Sequence, residues 1–163
     1  MSTLRVTRGA LVAAVYFTLT VLPPLSSFAY GPIQVRVSEA LMVLPAVTPG
    51  TAWALFVGCL AANLAGGLGL VDLVFGSLAT LAAALVVARV RNPWLVPIPV
   101  VAINALVVGT YLPLVLDLPI PLPLSWLYIA AGEAAAVGLI GLPLLFFIRS
   151  RPGLVRYLRG EGQ

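Results

Sequence analysis

The chain has 163 residues, of which 61% are hydrophobic and only 9% are charged, and its formal net charge is +4. A soluble domain carries about a quarter charged residues because its surface must face water. Most of this surface must therefore face lipid. The length favours a single membrane domain, residues 1–163, with no room for a separate soluble enzyme.

Several kinds of site are excluded because the sequence contains no His and no Lys, and Cys59 is its single cysteine. An intrachain disulfide and a zinc site of the Cys/His type are impossible. Ser/His and Cys/His catalytic pairs are also excluded, so we expect no catalytic residue and no metal site. A phosphate-binding loop of the GxxxxGK type needs a lysine, so any uphill transport requires a partner protein or an ion gradient.

Residues 7–22 form the first predicted span, and Arg5 and Arg8 lie close to its start. The arrangement superficially resembles a signal peptide, but no small-residue cleavage site precedes a soluble region, so we expect a retained span. Ala10 and Ala14 form a small-xxx-small pair, which lets another helix approach closely in lipid. Because similar pairs occur in later segments, packing within the chain is the alternative to docking of a partner.

Residues 33–47 form the second predicted span, in the stretch "YGPIQVRVSEALMVLP". An α-helix rises 1.5 Å per residue and needs about 20 residues to cross the hydrocarbon, so this segment either enters obliquely or stops partway. Its first turns carry Gln34, Arg36 and Glu39. At i, i+3 spacing, Arg36 and Glu39 either form an ion pair that anchors the span at the interface or belong to a ligand site.

Four further spans are predicted between breaks at Pro, Gly and charged residues. They cover residues 51–68, 72–88, 97–116 and 125–147. Their candidate site residues are, in order, Asn63, Asp72, Asn104 and Glu133. Asp72 opens the fourth span, where a carboxylate can cap a helix N-terminus, so a cap and a ligand contact are both open. The connection with Pro119, Pro121 and Pro123 is expected to be extended because proline fixes φ.

The arginines predict the orientation. All of them except Arg36 fall beside the start of the first span, between the fourth and fifth spans, or in the basic tail 148–163. With six spans these clusters share one side, which the positive-inside rule identifies as the cytoplasm. The expected fold is an all-α integral membrane bundle of six transmembrane helices, with N and C termini cytoplasmic, multi-pass in the cell inner (plasma) membrane.

The intramembrane polar residues fall in the outer half of this bundle, apart from Asn104 near its middle. A charge near the bilayer centre costs about 2.5–3.5 kcal/mol on insertion scales. Glu133 lies deep without a basic residue close in sequence, so it is neutral, pairs with Arg36, or meets a ligand. Tyr30 and Trp126 lie at matching depths and either stack on a flat heterocycle or belong to the aromatic belts of the lipid interface. A ligand site open to the exterior explains these residues together.

The stretches "YGPIQVRVSEALMVLP" and "GCLAANLAGGLGLVDLVFGSLATLAAAL" resemble the QueT family of queuosine-precursor transporters, S-components of energy-coupling factor (ECF) transporters. The resemblance runs from span one through span six and is densest from Tyr30 to Leu85. It implies six helices, a substrate cavity near the outer face, and docking through Ala10 and Ala14 onto a transmembrane coupling protein with two cytoplasmic ATPases. ATP and Mg²⁺ would be used by those partners, with no cofactor in this chain.

The resemblance also implies a cargo of the 7-deazaguanine class, such as preQ0 or preQ1, and no nucleic-acid partner. We expect Glu133 or Glu39 to accept from N–H groups of a guanine-like edge, while Arg36 holds a carboxylate in place or contacts the ligand. The cargo's carbonyl group would be addressed by one of three amides, those of Gln34, Asn63 and Asn104. The alternatives are another vitamin or nucleobase cargo, or a membrane scaffold without a ligand; an intramembrane enzyme is disfavoured by the missing His and Lys.

Overall fold

The computed structural model describes residues 3–30 and 34–159, and every regular element in that part of the chain is helical. The predicted all-α class is confirmed. In chain order the elements are α1 (Thr3–Val21), α2 (Leu25–Ala29), a 3₁₀ segment (Val37–Ala46), α3 (Thr51–Gly66), α4 (Asp72–Val87), α5 (Pro93–Val115), α6 (Leu122–Arg149) and α7 (Pro152–Arg159).

Three of these helices are long and apolar enough to cross a membrane. They are α1 with 19 residues, α5 with 23 and α6 with 28. The 3₁₀ segment, α3 and α4 are also apolar but shorter, at 10 to 17 residues. Each predicted span thus has a helical element at its place, with ends shifted by a few residues. The number of crossings and the side of the termini stay predictions.

The second predicted span is the one that differs most from expectation. Arg36 precedes it in extended backbone, with φ −90° and ψ 103°, and a 3₁₀ helix follows instead of an α-helix. A 3₁₀ helix rises about 2.0 Å per residue, so ten residues reach about 20 Å instead of about 15 Å. The ion pair considered between Arg36 and Glu39 does not form, because the Arg36 side chain turns toward α3 and α4.

Two stretches are wound more loosely, as π-helix. They are Asp72–Gly76 at the start of α4 and Ala134–Gly141 within α6. Such stretches are rare and frequently occur at functional sites. One begins at a predicted site residue, and the other directly follows Glu133. At Gly141 an added Cβ would lie 3.0 Å from the Ala40 carbonyl oxygen, so the second stretch packs closely on the 3₁₀ segment.

Helix α1 packs on α3 through small residues. At Gly58 of α3 an added Cβ would come within 2.7 Å of the Ala13 carbonyl oxygen, so only glycine allows this approach. Tyr16 of α1 is fully buried, whereas Ala10 and Ala14 are exposed. Packing within the chain therefore uses Ala13, and it leaves the predicted docking pair uncovered.

The main apolar core lies between the 3₁₀ segment and the long helices around it. Its largest members include Tyr16, Met42, Val43, Leu55, Val87, Val100, Val137 and Leu145. In lipid the stabilisation of such a core comes from close packing, because apolar side chains gain little by leaving one apolar medium for another. The core thus holds the 3₁₀ segment rigidly among its neighbours.

The proline-rich connection is shorter than expected, because α6 begins at Leu122 and not at Ser125. Pro123 therefore lies in the first helical turn and not in an extended loop. Its missing N–H is harmless there, since the first N–H groups of a helix have no intrahelical acceptor.

The basic tail is not a plain extension, since residues 152–159 form α7. Leu154, Val155 and Leu158 pack against the main core, and Arg159 Nε donates to the Val47 carbonyl oxygen at 3.2 Å. The tail thus folds back on the end of the 3₁₀ segment, while residues 160–163 lie outside the described part of the chain.

Candidate functional site

Arg36 is almost fully buried, with 6% of its surface exposed, and all of its nitrogens face neighbouring elements. Nε donates to the Ala29 carbonyl oxygen at 3.1 Å, and Nη1 donates to Asn63 Oδ1 at 2.9 Å. Nη2 lies 3.8 Å from Asp72 Oδ1, within ion-pair distance. A buried guanidinium is tolerated only when it is paired in this way. The extended residue before the 3₁₀ segment is thereby tied to α2, α3 and α4.

Asp72 and Asn63 join this arginine to α5. Asp72 Oδ1 also accepts from the Tyr111 hydroxyl at 2.6 Å, and Asn63 Nδ2 donates to the Asp72 carbonyl oxygen at 3.1 Å. At Gly76 an added Cβ would lie 2.7 Å from the Tyr111 hydroxyl, so glycine makes room for these contacts. Asp72 makes no side-chain cap, since residues 70 and 71, which precede it, are already helical. The cap considered from the sequence is therefore not formed.

Tyr30 lies beside the same arginine. Its hydroxyl donates to the Ala62 carbonyl oxygen at 2.6 Å, and its ring centroid lies 5.5 Å from the Arg36 guanidinium carbon. An added Cβ on Gly66 would overlap the Tyr30 ring, so the ring is seated directly on α3. We call these connected side chains the Arg36 network: Tyr30, Arg36, Asn63, Asp72 and Tyr111.

Glu39 points to a different set of partners. Its Oε1 accepts a short hydrogen bond from the Tyr16 hydroxyl of α1, and its side chain is only 1% exposed. The neighbouring Ser38 is bonded to Thr20 of α1 at 2.7 Å. Two side-chain hydrogen bonds therefore fix the start of the 3₁₀ segment to α1.

Glu133 and Gln34 meet where α6 crosses the chain before the 3₁₀ segment. Glu133 Oε1 accepts from Asn104 Nδ2 of α5 at 3.0 Å. An added Cβ on Gly132 would lie 1.9 Å from the Gln34 carbonyl oxygen, so the two backbones touch there. Glu39 lies on the 3₁₀ segment, which packs against the π stretch that directly follows Glu133. Glu133 does not form the ion pair with Arg36 that the sequence left open.

Four buried side-chain atoms in this region have no hydrogen-bond partner among the described residues. They are Gln34 Nε2, Glu39 Oε2, Asn104 Oδ1 and Glu133 Oε2; in the Arg36 network, Arg36 Nη2 and Asp72 Oδ2 of the ion pair likewise make no hydrogen bond. An unpaired buried polar atom costs about 1–3 kcal/mol, and native proteins rarely leave several together. The four atoms outside the ion pair are therefore available to a bound molecule. We call this second set of residues the Glu39–Glu133 cluster: Gln34, Glu39, Asn104 and Glu133.

An open pocket of about 200 Å³ lies beside the Arg36 network at the junction of α3 and α4. It is lined by Asn63, Leu64, Gly67, Gly69, Leu70 and Leu73. Gly67 and Gly69 have positive φ, 69° and 94°, so the turn that forms this pocket depends on glycine. Within the described residues, no three His, Cys, Asp or Glu side chains converge as metal ligands would.

The remaining predicted residues lie elsewhere. Trp126 packs on Gly109 of α5, and its Nε1 donates to Thr110 Oγ1 at 3.0 Å. Ala10 and Ala14 lie on the exposed side of α1. The structure thus brings the predicted polar residues into two neighbouring sets, with the indole of Trp126 held by α5.

Tyr16 was not among the residues predicted from the sequence, and Tyr111 was considered only as an aromatic side chain at the depth of the site. Both phenol groups donate to a buried carboxylate of another helix. A tyrosine in an apolar span is itself a usable signal, because a buried hydroxyl nearly always needs a partner. The partner of the Tyr16 hydroxyl could not be predicted, because Tyr16 and Glu39 belong to different segments of the sequence.

The chain is similar in sequence to known transporters. The family model described as QueT transporter matches residues 6–150 of the chain. The queuosine precursor transporter QueT of Lactococcus lactis subsp. cremoris (strain MG1363) is 42% identical over 72 residues, which cover 44% of this chain and 42% of that protein. The matched part therefore spans less than half of the relative's length. No solved structure is similar at a significant level.

The family match covers most of the chain, including both sets of buried polar residues. Together with the three helices long and apolar enough to cross a membrane, it indicates a membrane protein of a transporter family. The chain belongs to the QueT transporter family.

Proposed function

We propose that this chain is the substrate-binding S-component of an ECF-type importer. It captures a queuosine precursor, a 7-deazaguanine such as preQ0 or preQ1, outside the cell and delivers it inward with energy from partner ATPases. The observation that carries this proposal is the Glu39–Glu133 cluster, whose buried polar atoms lack partners among the described residues. A transporter needs such unsatisfied groups, because the cargo must be bound by atoms that the protein has not already used.

The chemistry of the cluster suits a planar base with adjacent N–H groups. A carboxylate of Glu39 or Glu133 accepts from those N–H groups, and Gln34 Nε2 donates to the neighbouring carbonyl oxygen. Asn104 holds Glu133 in position through its 3.0 Å hydrogen bond. The Arg36 network holds the start of the 3₁₀ segment, so we assign Arg36 and Asp72 to positioning the site and not to first contact with the cargo.

The proposed topology has six membrane-crossing elements with both termini in the cytoplasm of a plasma-membrane protein. It is supported by the six apolar elements and by the arginines other than Arg36, which all fall on the side opposite Asp117 in this topology. The short 3₁₀ segment gains reach from its larger rise per residue. The cargo site then opens toward the exterior.

The proposed partners are a transmembrane coupling protein and two cytoplasmic ATPases, which use ATP and Mg²⁺. This is supported by the missing lysine for a phosphate-binding loop and by the exposure of Ala10 and Ala14 on α1. Small exposed residues let a second helix pack closely in lipid.

The test of the cargo is a thermal-unfolding panel on the purified full chain in detergent. Ligands that bind the folded state raise its stability by about 2.7 kcal/mol at a hundred times their dissociation constant. We expect preQ0 or preQ1 to raise the unfolding temperature while unrelated vitamins do not. If another vitamin or nucleobase raised the unfolding temperature and neither deazaguanine did, the proposed cargo would be wrong and that compound would take its place. A chain that responds to no ligand would fit a membrane scaffold instead.

A further inference from the structure

The buried charges around the site do not balance. The nearly buried acidic residues are Glu39, Asp72 and Glu133, whereas the nearly buried basic residue is Arg36, among residues 3–30 and 34–159. The other described arginines lie at the chain's surface and at the opposite ends of the helices. Buried charge of one sign is expensive, so an excess of carboxylates calls for a compensating positive charge.

Arg36 makes its ion pair with Asp72 and not with the Glu39–Glu133 cluster, because its nitrogens point toward other partners. They face the Ala29 carbonyl oxygen, Asn63 Oδ1 and Asp72 Oδ1. The ion pair within 4.0 Å in the described chain is the one with Asp72. Neither Glu39 nor Glu133 has a cation of the described residues within ion-pair distance.

The hydrogen-bonding capacity of the cluster is equally one-sided. Glu39 Oε2, Glu133 Oε2 and Asn104 Oδ1 are unpartnered acceptors, whereas the cluster has one unpartnered donor, Gln34 Nε2. The neutral edge of a guanine-type base offers its adjacent N–H groups to a single carboxylate. The second carboxylate then still lacks both a donor and a counter-charge. A protonated primary amine supplies both, since an ammonium group has three N–H donors and one positive charge.

We propose that the cluster selects a cationic cargo, with one carboxylate of the Glu39–Glu133 pair binding the base edge and the other binding a protonated amine. The inference rests on the proposed function and deepens it. Between the two deazaguanines it favours the 7-aminomethyl compound, preQ1, whose amine is protonated at neutral pH as a lysine amine is. The 7-cyano compound, preQ0, has the same ring system and no charge.

The experiment is equilibrium binding of both compounds to the purified full chain at pH 7. A hydrogen bond to a charged group is worth about 1.5–3 kcal/mol, so we expect the aminomethyl compound to bind about tenfold to a hundredfold more tightly. Equal affinity, or tighter binding of the cyano compound, overturns the inference while leaving the proposed function standing. Absence of binding by either compound overturns the proposed function itself.

Two variants locate the selectivity. In Glu39→Gln and Glu133→Gln the shape is kept and one negative charge is lost, so at least one of them should reduce the affinity ratio toward one. Binding of the cyano compound then reports that the variant is folded. Asp117→Asn is the matched control, because Asp117 is exposed outside the cluster and its positive φ of 49° suits asparagine. A ratio that stays unchanged in both glutamate variants would contradict the assignment.

Discussion

The buried polar side chains of this protein differ in how many of their hydrogen-bonding atoms are already used by other residues. Tyr111 and Tyr16 each donate to a buried carboxylate, and Arg36 donates to two oxygens and forms an ion pair with Asp72. By contrast, Glu39 and Glu133 each use one oxygen inside the protein and keep the other unpaired among the described residues. Half-used carboxylates are suited to binding, since one bond fixes the orientation and the second is left for a ligand.

The Arg36 network predicts the effect of removing one hydroxyl. In Tyr111→Phe the Asp72 carboxylate loses its 2.6 Å donor, so we expect a loss of about 1–3 kcal/mol in the free energy of unfolding. Thermal unfolding of the purified variant in detergent measures this. Tyr157→Phe is the matched control, because Tyr157 is 55% exposed and should change stability by less than about 0.5 kcal/mol. Equal effects from both variants would show that the Asp72 contact is not stabilising.

At the scale of elements, the site depends on departures from regular α-helix. The chain before the 3₁₀ segment is extended, the segment itself is stretched, and the π stretch of α6 lies directly against it. Gly132 allows the α6 backbone to touch the Gln34 carbonyl oxygen, immediately beside Glu133. This backbone contact joins α6, which carries Glu133, to the chain that carries Gln34 and leads into the 3₁₀ segment with Glu39.

Two glycines of α6 test the importance of this crossing. In Gly132→Ala the new methyl group would lie 1.9 Å from the Gln34 carbonyl oxygen, so the helix must move and cargo binding should be lost. In Gly138→Ala nothing lies within 4 Å, and the higher helix propensity of alanine should leave stability unchanged or raise it by up to about 1 kcal/mol. Thermal unfolding and ligand binding distinguish the two. Full binding by Gly132→Ala would show that the crossing is not needed.

At the scale of the whole molecule, one long helix is barely covered. Helix α1 buries only Tyr16 and Thr20 among its described residues, and its Ala10 and Ala14 remain exposed. It is nevertheless connected to the site, since Tyr16 donates to Glu39. A partner that packs on the exposed side of α1 would therefore lie one helix away from the proposed cargo.

The exposed side of α1 predicts how assembly can be blocked. Ala14→Trp places a bulky side chain where the coupling protein is proposed to pack, so copurification of that partner and its ATPases should fall at least about tenfold. Cargo binding by the isolated chain should be kept, because the substituted position is not buried. Leu139→Trp is the control, as Leu139 of α6 is 76% exposed and belongs to neither set of polar residues. Normal copurification of Ala14→Trp would contradict docking at this surface.

Much of the protein could be predicted from the chain alone, because some properties depend only on local composition. Sparse charge requires lipid as the surrounding solvent, and breaks at Pro, Gly and Arg separate the apolar elements that the structure shows. Polar residues inside such elements are conspicuous for the same reason, so Gln34, Glu39, Asn104 and Glu133 could all be named. The resemblance to the QueT family was likewise readable from short stretches, and the family match confirms it.

What only the tertiary structure decided is which of these groups are already used. Arg36 stands three residues from Glu39, yet it bonds to Asn63 and Asp72, 27 and 36 positions away. Glu39 in turn meets Tyr16 of another helix. A side chain's partner is set by how distant elements pack, and no local pattern contains that information. The unpaired oxygens on which the proposed cargo depends are therefore visible only once every helix is in place.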